Sequence, residues 1–246
     1  MIILGSLLPC LTFCTAAPPK QYGIRVVKEY PHDAEAYTQG LFFNGGQLYE
    51  STGHCGRTSF RKVELETGKV LRRLSFARKY FGEGSVMMGG RMYMLTWTSK
   101  VAFVYDAATL EYQKTYTYPR EGWGLTTDGE SLVASDGSSR LYFLDDQLKT
   151  RRTLEVKMNG RPLRLLNELE WIDGKIWANV YMTDMIVIID PRSGEVTATV
   201  DCKGLLPAKL RTADTDVLNG IACLDGRIFI TGKNWPRLYE IALVSK

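Results

Sequence analysis

A hairpin unit occurs five times along this chain of 246 residues, centred on Gly46, Gly90, Gly129, Gly174 and Gly226. The segments are QGLFFNGGQLYESTG, EGSVMMGGRMYMLTW, GWGLTTDGESLVASD, NELEWIDGKIWANVY and NGIACLDGRIFITGK. In each, apolar, β-branched or aromatic runs flank an Asp-Gly or Gly-Gly pair, the pattern of strand, tight turn, strand. The units recur 39 to 52 residues apart. That period, with several short strands per repeat, predicts a β-propeller, whose radially packed blades leave only short, protected edges. Five repeats imply an all-β, five-bladed β-propeller.

Further strands follow each hairpin, in SFRKVELETGKVLRRLSF, VAFVYDAATLEYQKTYTY, RLYFLDDQLKTRRTLEV and MIVIIDPRSGEVTATV. Glu-Thr-Gly, Asp-x-x-Thr and Asp-Pro-Arg-Ser-Gly elements mark their turns. The last unit ends at RLYEIALVSK with only a third strand. YGIRVVKEY, residues 22–30, is its missing partner, so the N-terminal strand is expected to close the ring as the outermost strand of the fifth blade. Residues 18–246 then form a single domain. GLLPAKLRTADTDVLNG is the place for a short helical turn.

Aligning the repeats on the hairpin glycine separates chemistry from scaffold. Seven residues before it stand Gln39, Glu83, Gly122, Asn167 and Asn219; seven after it stand Gly53, Trp97, Asp136, Tyr181 and Lys233. Positions equidistant from a turn lie close together at the open end of an antiparallel hairpin. With the first strand of each unit innermost, both sets form one polar and aromatic collar around a mouth of the central channel. The next position is monotonous, with Gly40, Gly84, Gly220 and, after a one-residue shift, Gly124.

A net charge of +4, with 24% charged residues and no long basic run, is a solvated surface and argues against nucleic acid as a partner. Residues 1–17 read as a secretory signal with cleavage near Ala17, although the usual positive charge before the apolar stretch is missing. The chain is therefore expected to be exported, periplasmic or secreted; lipid anchoring at Cys10 or Cys14 is the weaker reading because a bulky or cyclic residue precedes each. No other apolar run approaches the roughly 20 residues of a membrane span. A monomer is expected. Cys55, Cys202 and Cys223 remain without metal-ligand spacing, and the sequence leaves a Cys202–Cys223 disulfide open.

The segments TQGL, YFGEG, LTW, EGWGLT, SDGS, LNELEWI, WANVY, LNGIA and TGKNWP, in this order over residues 22–243, resemble the plant and bacterial type of glutaminyl-peptide cyclotransferase. The resemblance implies a five-bladed propeller that converts the N-terminal glutamine of peptides or proteins to pyroglutamate with loss of ammonia. It implies no cofactor and no metal, and a fold unrelated to the zinc-dependent animal type. His32 and His54, the only histidines, are also too few for a zinc site of that kind. By motif, the family's site falls on Gln39, Glu83, Trp97, Trp123, Asn167 and Lys233, all in or next to the collar. Family members commonly carry Trp where WANVY has Tyr181.

The chemistry needs no protein nucleophile, because the α-amine attacks the γ-carboxamide of the same residue. One carboxylate can carry the proton from the amine to the departing ammonia. Glu83 is the candidate; a lone Glu beside Gly is otherwise more often a solvated turn residue. Asn167 and Gln39 are candidates to bind the amide and steady the oxyanion. Lys233 is a third catalytic candidate, for the oxyanion or for setting the ionisation of Glu83, with a structural salt bridge as the alternative. Trp97, Trp123 and Tyr181 are expected to wall the pocket, while Trp171 and Trp177 suit the core. Asp136 either receives the substrate ammonium or organises its own turn, and Asn219 is expected to bond to backbone. Glu168 and Glu170 carry no assigned chemistry. Two competing readings are a non-catalytic propeller that binds peptides or other ligands and a calcium-dependent lactonase-like propeller, for which the collar offers too few carboxylates.

Overall fold

In a computed structural model, which describes residues 18–246, the chain forms five blades of antiparallel strands around one axis. The signal-sequence expectation for residues 1–17, with Cys10 and Cys14, falls outside the described residues. The innermost strands are Thr38–Asn44, Gly82–Met88, Leu125–Thr127, Leu166–Ile172 and Leu218–Leu224, and they contact one another around the ring. Leu166–Ile172 is buried at nearly every position, because a strand next to the axis has a neighbouring blade on both faces. Thr150–Glu155, on the rim of the third blade, lies largely in solvent and buries little. Five apolar clusters fill the five interfaces between neighbouring blades. Tyr30, Leu41 and Phe229 join the fifth blade to the first, for example, and Phe42, Tyr49 and Met87 join the first to the second.

Four hairpins turn on the expected glycine with two residues in the left-handed region, such as Gly45 and Gly46 (φ 56° and 76°) or Asp173 and Gly174 (φ 48° and 71°). The third blade differs. Thr127 pairs with Leu132 across a four-residue loop, Asp128–Ser131, whose Asp128 carboxylate accepts the Glu130 and Ser131 amides.

The N-terminal strand Lys20–Pro31 closes the ring, pairing antiparallel with Arg237–Ser245 from Tyr22 opposite Ser245 to Pro31 opposite Arg237. Its first residues also pair parallel with the rim of the fourth blade, Lys20 opposite Ala198 to Tyr22 opposite Val200, which the sequence reading does not anticipate. Blades four and five thereby share one eight-stranded sheet. Downstream, His32 bonds to the Trp235 carbonyl (2.6 Å) and to Glu50 (3.0 Å), tying the closing strand to blades five and one. The expected helical turn is a short 3₁₀ segment, Ala208–Leu210. Cys55, Cys202 and Cys223 are free thiols, so the disulfide left open by the sequence does not form.

At the axis the inner strands approach too closely for side chains. A Cβ on Gly124 would lie 2.0 Å from the Asn167 carbonyl oxygen, and one on Gly84 would lie 2.4 Å from the Leu125 nitrogen. The fourth blade has Glu168 in the corresponding slot. Its buried carboxylate crosses the axis and accepts the Leu41 amide (3.2 Å) from blade one and the Ile221 amide (2.9 Å) from blade five. Glu168 thus closes the channel beneath the collar. Glu168→Gln presents an N–H₂ to one of those two donors, leaving a buried amide unsatisfied at a cost of about 1–3 kcal/mol. Thermal denaturation should show Tm falling by roughly 2–4 °C per kcal/mol; an unchanged Tm would remove Glu168 from the closure of the channel.

Candidate active site

The side chains of the collar point where they do because the inner strands bulge. Pairing shifts register between Thr38 and Gly40, between Gly82 and Ser85, between Leu166 and Leu169, and between Leu218 and Ile221. Gln39, Glu83, Asn167 and Asn219 occupy those four bulges, and a bulge turns a side chain out of the ladder. Serines from the second strands hold the bulged backbone: Ser51 Oγ donates to the Glu83 carbonyl and Ser135 Oγ to the Asn167 carbonyl, both at 2.7 Å.

The bulges also correct the pairing expected from equal offsets. In the four blades with bulges, the residue seven after the glycine bonds to the residue nine before it: Gly53 N–H to the Tyr37 carbonyl, Trp97 to Phe81, Tyr181 to Leu165 and Lys233 to Val217, at 2.8–3.0 Å. Tyr37 and Phe81 therefore join the site, although the sequence reading does not select them. Their signal is present. They stand nine residues before their hairpin glycines, just ahead of the inner strands Thr38–Asn44 and Gly82–Met88, an aromatic at the same offset in both repeats.

The resulting cavity is about 190 Å³. That is below the roughly 300–1,000 Å³ of a drug-sized ligand site and suits one terminal residue. Seven of the eight side chains expected from sequence line it: Gln39, Glu83, Asn167 and Lys233 as polar groups, and Trp97, Trp123 and Tyr181 as aromatic walls beside Tyr37 and Phe81. The eighth, Asp136, is not among them. Its carboxylate accepts from the Ser138 backbone amide (3.0 Å), the Ser138 hydroxyl (2.5 Å) and the Tyr142 hydroxyl (2.9 Å), so it organises its own turn. The third blade's longer loop accounts for this, because it shifts that blade out of the register of the other four. Asn219 bonds to backbone as expected, donating to the Thr38 carbonyl (2.9 Å), and it also donates to Gln39 Oε1 (3.3 Å). That contact leaves the amide nitrogen of Gln39 available to a ligand.

The walls form a closed circuit through all five blades. Phe81 meets Tyr37 and Trp97 edge-to-face, and Trp123 meets Tyr181 in the same way (5.5 Å between centroids). Lys233 Nζ lies over both Tyr181 (4.9 Å) and Tyr37 (4.7 Å). Tyr37 in turn donates its hydroxyl to Asp216 (2.8 Å). Trp97 and Trp123 are joined through Glu121, whose Oε2 accepts both indole N–H groups, at 2.8 and 3.1 Å.

Glu83 and Lys233 are both buried, with no salt bridge between them among the described residues. The structural ion pair considered from sequence is thus not made. Burial pushes the Glu83 carboxyl well above its ordinary range; the Lys233 charge pulls it down and Glu121 pushes it further up. Burial lowers Lys233, against the attraction of Glu83 and Asp216. Asn167 Oδ1 is buried with no hydrogen-bond partner among the described residues. A buried amide oxygen in that position is an acceptor for a ligand donor. Those residues also contain no cluster of three or more His, Cys, Asp or Glu fit to hold a metal ion, and no helix long and apolar enough to cross a membrane.

Residues 3–243 match the family model described as glutamine cyclotransferase. The chain is 43% identical over 227 residues to the Arabidopsis thaliana glutaminyl-peptide cyclotransferase, covering 89% of this chain and 71% of that protein. It is also similar to the crystal structure of Myxococcus xanthus glutaminyl cyclase, with 36% identity and a TM-score of 0.86 over 93% of this chain and 99% of that one.

Coupling between the two buried charges can be read directly. Lys233 should become reactive toward an amine-acylating reagent below the ordinary lysine value of 10.5, as followed by mass spectrometry across pH. In Glu83→Gln its midpoint should fall further, since Glu83 is the larger of the two attractions that raise it; an unmoved or rising midpoint would contradict the coupling.

Proposed function

The chain belongs to the glutamine cyclotransferase family, and from that premise we propose that its collar pocket cyclises an N-terminal glutamine to pyroglutamate and releases ammonia, with Glu83 carrying the proton. The observation that carries this reading is a buried carboxylate of raised proton affinity beside an unpartnered amide and an unpaired ammonium, in a cavity sized for one residue. Glu168 is raised by burial as well but is engaged by two backbone amides, whereas Glu83 faces the cavity.

The α-amine must be neutral to attack, and its ordinary pKa of roughly 7.7–8.0 is low enough for a modest base to deprotonate it. Burial makes Glu83 a stronger base than a surface glutamate, nearer to that value. The aromatic walls fold the side chain so that the amine nitrogen faces the γ-carboxamide carbon, which replaces a search through rotamers by one attack conformer. The new N–C bond forms, and the carbonyl electron pair moves onto oxygen. Lys233 faces that oxygen with its ammonium, held by two phenol faces rather than consumed in an ion pair. Asn167 Oδ1 accepts an N–H of the carboxamide, and the Gln39 amide positions the substrate's terminal amine or carbonyl. Glu83 takes the proton from the attacking amine and returns it to the carboxamide nitrogen. The oxyanion pair then returns to re-form the carbonyl, the bond from that carbon to the protonated carboxamide nitrogen breaks, and ammonia leaves. Tyr181 walls this pocket with a phenol whose face lies under the Lys233 ammonium.

Ammonia release from a glutaminyl peptide tests the reading. Glu83→Gln keeps size and polarity but removes the base, so kcat should fall by roughly 10²-fold or more with KM little changed. Near-normal turnover in that variant would end the assignment of Glu83, and no ammonia from the native protein would end the reading itself.

A further inference from the structure

Trp97 and Trp123 are adjacent walls from different blades with no ring contact between them. Trp97 is also 41% exposed, unusually open for a side chain that must define a pocket. Packing alone does not fix an indole with that much solvent around it. Every other neighbour in the circuit of walls is held by a ring edge or by a cation over a ring face. Between these two the link is polar, a single carboxylate oxygen accepting both indole N–H groups.

The backbone is built to put Glu121 there. Gly122, the next residue, lies against blade two, where a Cβ would come within 2.5 Å of Leu95 Cβ and 2.8 Å of the Thr96 carbonyl. Its amide donates to that carbonyl at 3.1 Å, one residue before Trp97. Trp123 N–H donates to the Ser135 carbonyl at 3.2 Å, anchoring the other side of Glu121 to blade three. Glu121 therefore sits at the junction of the two blades that carry the tryptophans.

We propose that Glu121 is the positioning residue of the pocket, acting through the two indoles it bridges rather than on the substrate. The inference rests on the cyclisation reading for its consequence in turnover, and on geometry alone for its structural part. A charged acceptor gives each N–H···O⁻ bond more strength than a neutral one would. One atom shared by both bonds makes the angle between the walls a property of the carboxylate. With the link removed, the exposed indole gains rotamer freedom and the glutamine side chain loses its attack conformer, for which small misplacements are expensive. Glu121→Gln keeps an oxygen acceptor for both donors, whereas Glu121→Ala removes it; both lose the charge that acts on Glu83, so the difference between them reads the bridge.

The test uses the full chain and two kinds of readout. With a glutaminyl dipeptide, Glu121→Ala should lose about 10- to 100-fold in kcat/KM, including a higher KM, and Glu121→Gln should recover most of that loss. Without substrate, acrylamide should quench tryptophan emission more readily in Glu121→Ala than in the native protein, with Glu121→Gln near native. Should Glu121→Ala fail to fold, hydrogen exchange of the native Trp97 indole N–H still decides the matter, because a held indole exchanges more slowly than its exposure implies. Native kcat/KM and quenching in Glu121→Ala, equal impairment of the two variants, or a freely exchanging Trp97 N–H would each overturn the proposal. If the native protein released no ammonia, the cyclisation reading would fail while quenching and exchange still judged the role of Glu121.

Discussion

Everything at the collar depends on how closely five strands can approach one axis. Backbone meets backbone there, so four of the five strands carry glycine at the contact, and a Cβ at Gly40, Gly84 or Gly124 would meet a neighbouring backbone atom within 2.8 Å. The fifth strand contributes Glu168, whose carboxylate occupies the remaining space and satisfies amides from two other blades. Burial and the neighbouring Glu170 push the proton affinity of Glu168 well up while those two amides oppose the rise; Glu170 itself reaches about 8. The residue just before each slot is bulged in four blades, and in three of them its side chain lines the cavity, while Asn219 braces Gln39 from the fourth. The functional groups are thus placed by the same closure that makes the ring.

The electrostatics of the pocket follow from what its walls are made of. Aromatic side chains exclude water, so a carboxyl and an ammonium in the same cavity are both driven toward neutrality, Glu83 upward and Lys233 downward. A contact ion pair would relieve both and leave neither available. Instead the Lys233 charge rests on the faces of Tyr37 and Tyr181. Its N–H donors remain free for a developing oxyanion, and Glu83 keeps its capacity to exchange a proton.

Much of this is legible in the residues. The five hairpin glycines imply the ring, the short last unit implies closure by the N-terminal strand, and the equal offsets with the family motifs lead to seven of the nine side chains that line the cavity. Tyr37 and Phe81 escape because a bulge adds one residue to the inner strand, a feature that strand periodicity does not encode. Asp136 is drawn in by an offset that holds only where the turn has two residues, and the third hairpin has a four-residue loop. Glu121 is hidden for another reason. Its place comes from two indole nitrogens contributed by separate blades, and no spacing along the chain records that convergence. The parallel pairing of Lys20–Tyr22 with the fourth blade is likewise set by where the closing strand emerges in space.

The central claim is that a buried Glu83 of raised proton affinity is the group whose ionisation switches on turnover. Infrared difference spectra between the native protein and Glu83→Gln isolate its carboxyl C=O stretch, which can be followed through a pH titration. The account predicts a midpoint above the ordinary glutamate value of 4.5, coinciding with the acidic limb of kcat/KM for a glutaminyl peptide once the titration of the substrate's own α-amine is divided out. A midpoint at or below 4.5, or an acidic limb displaced from the midpoint, would contradict it.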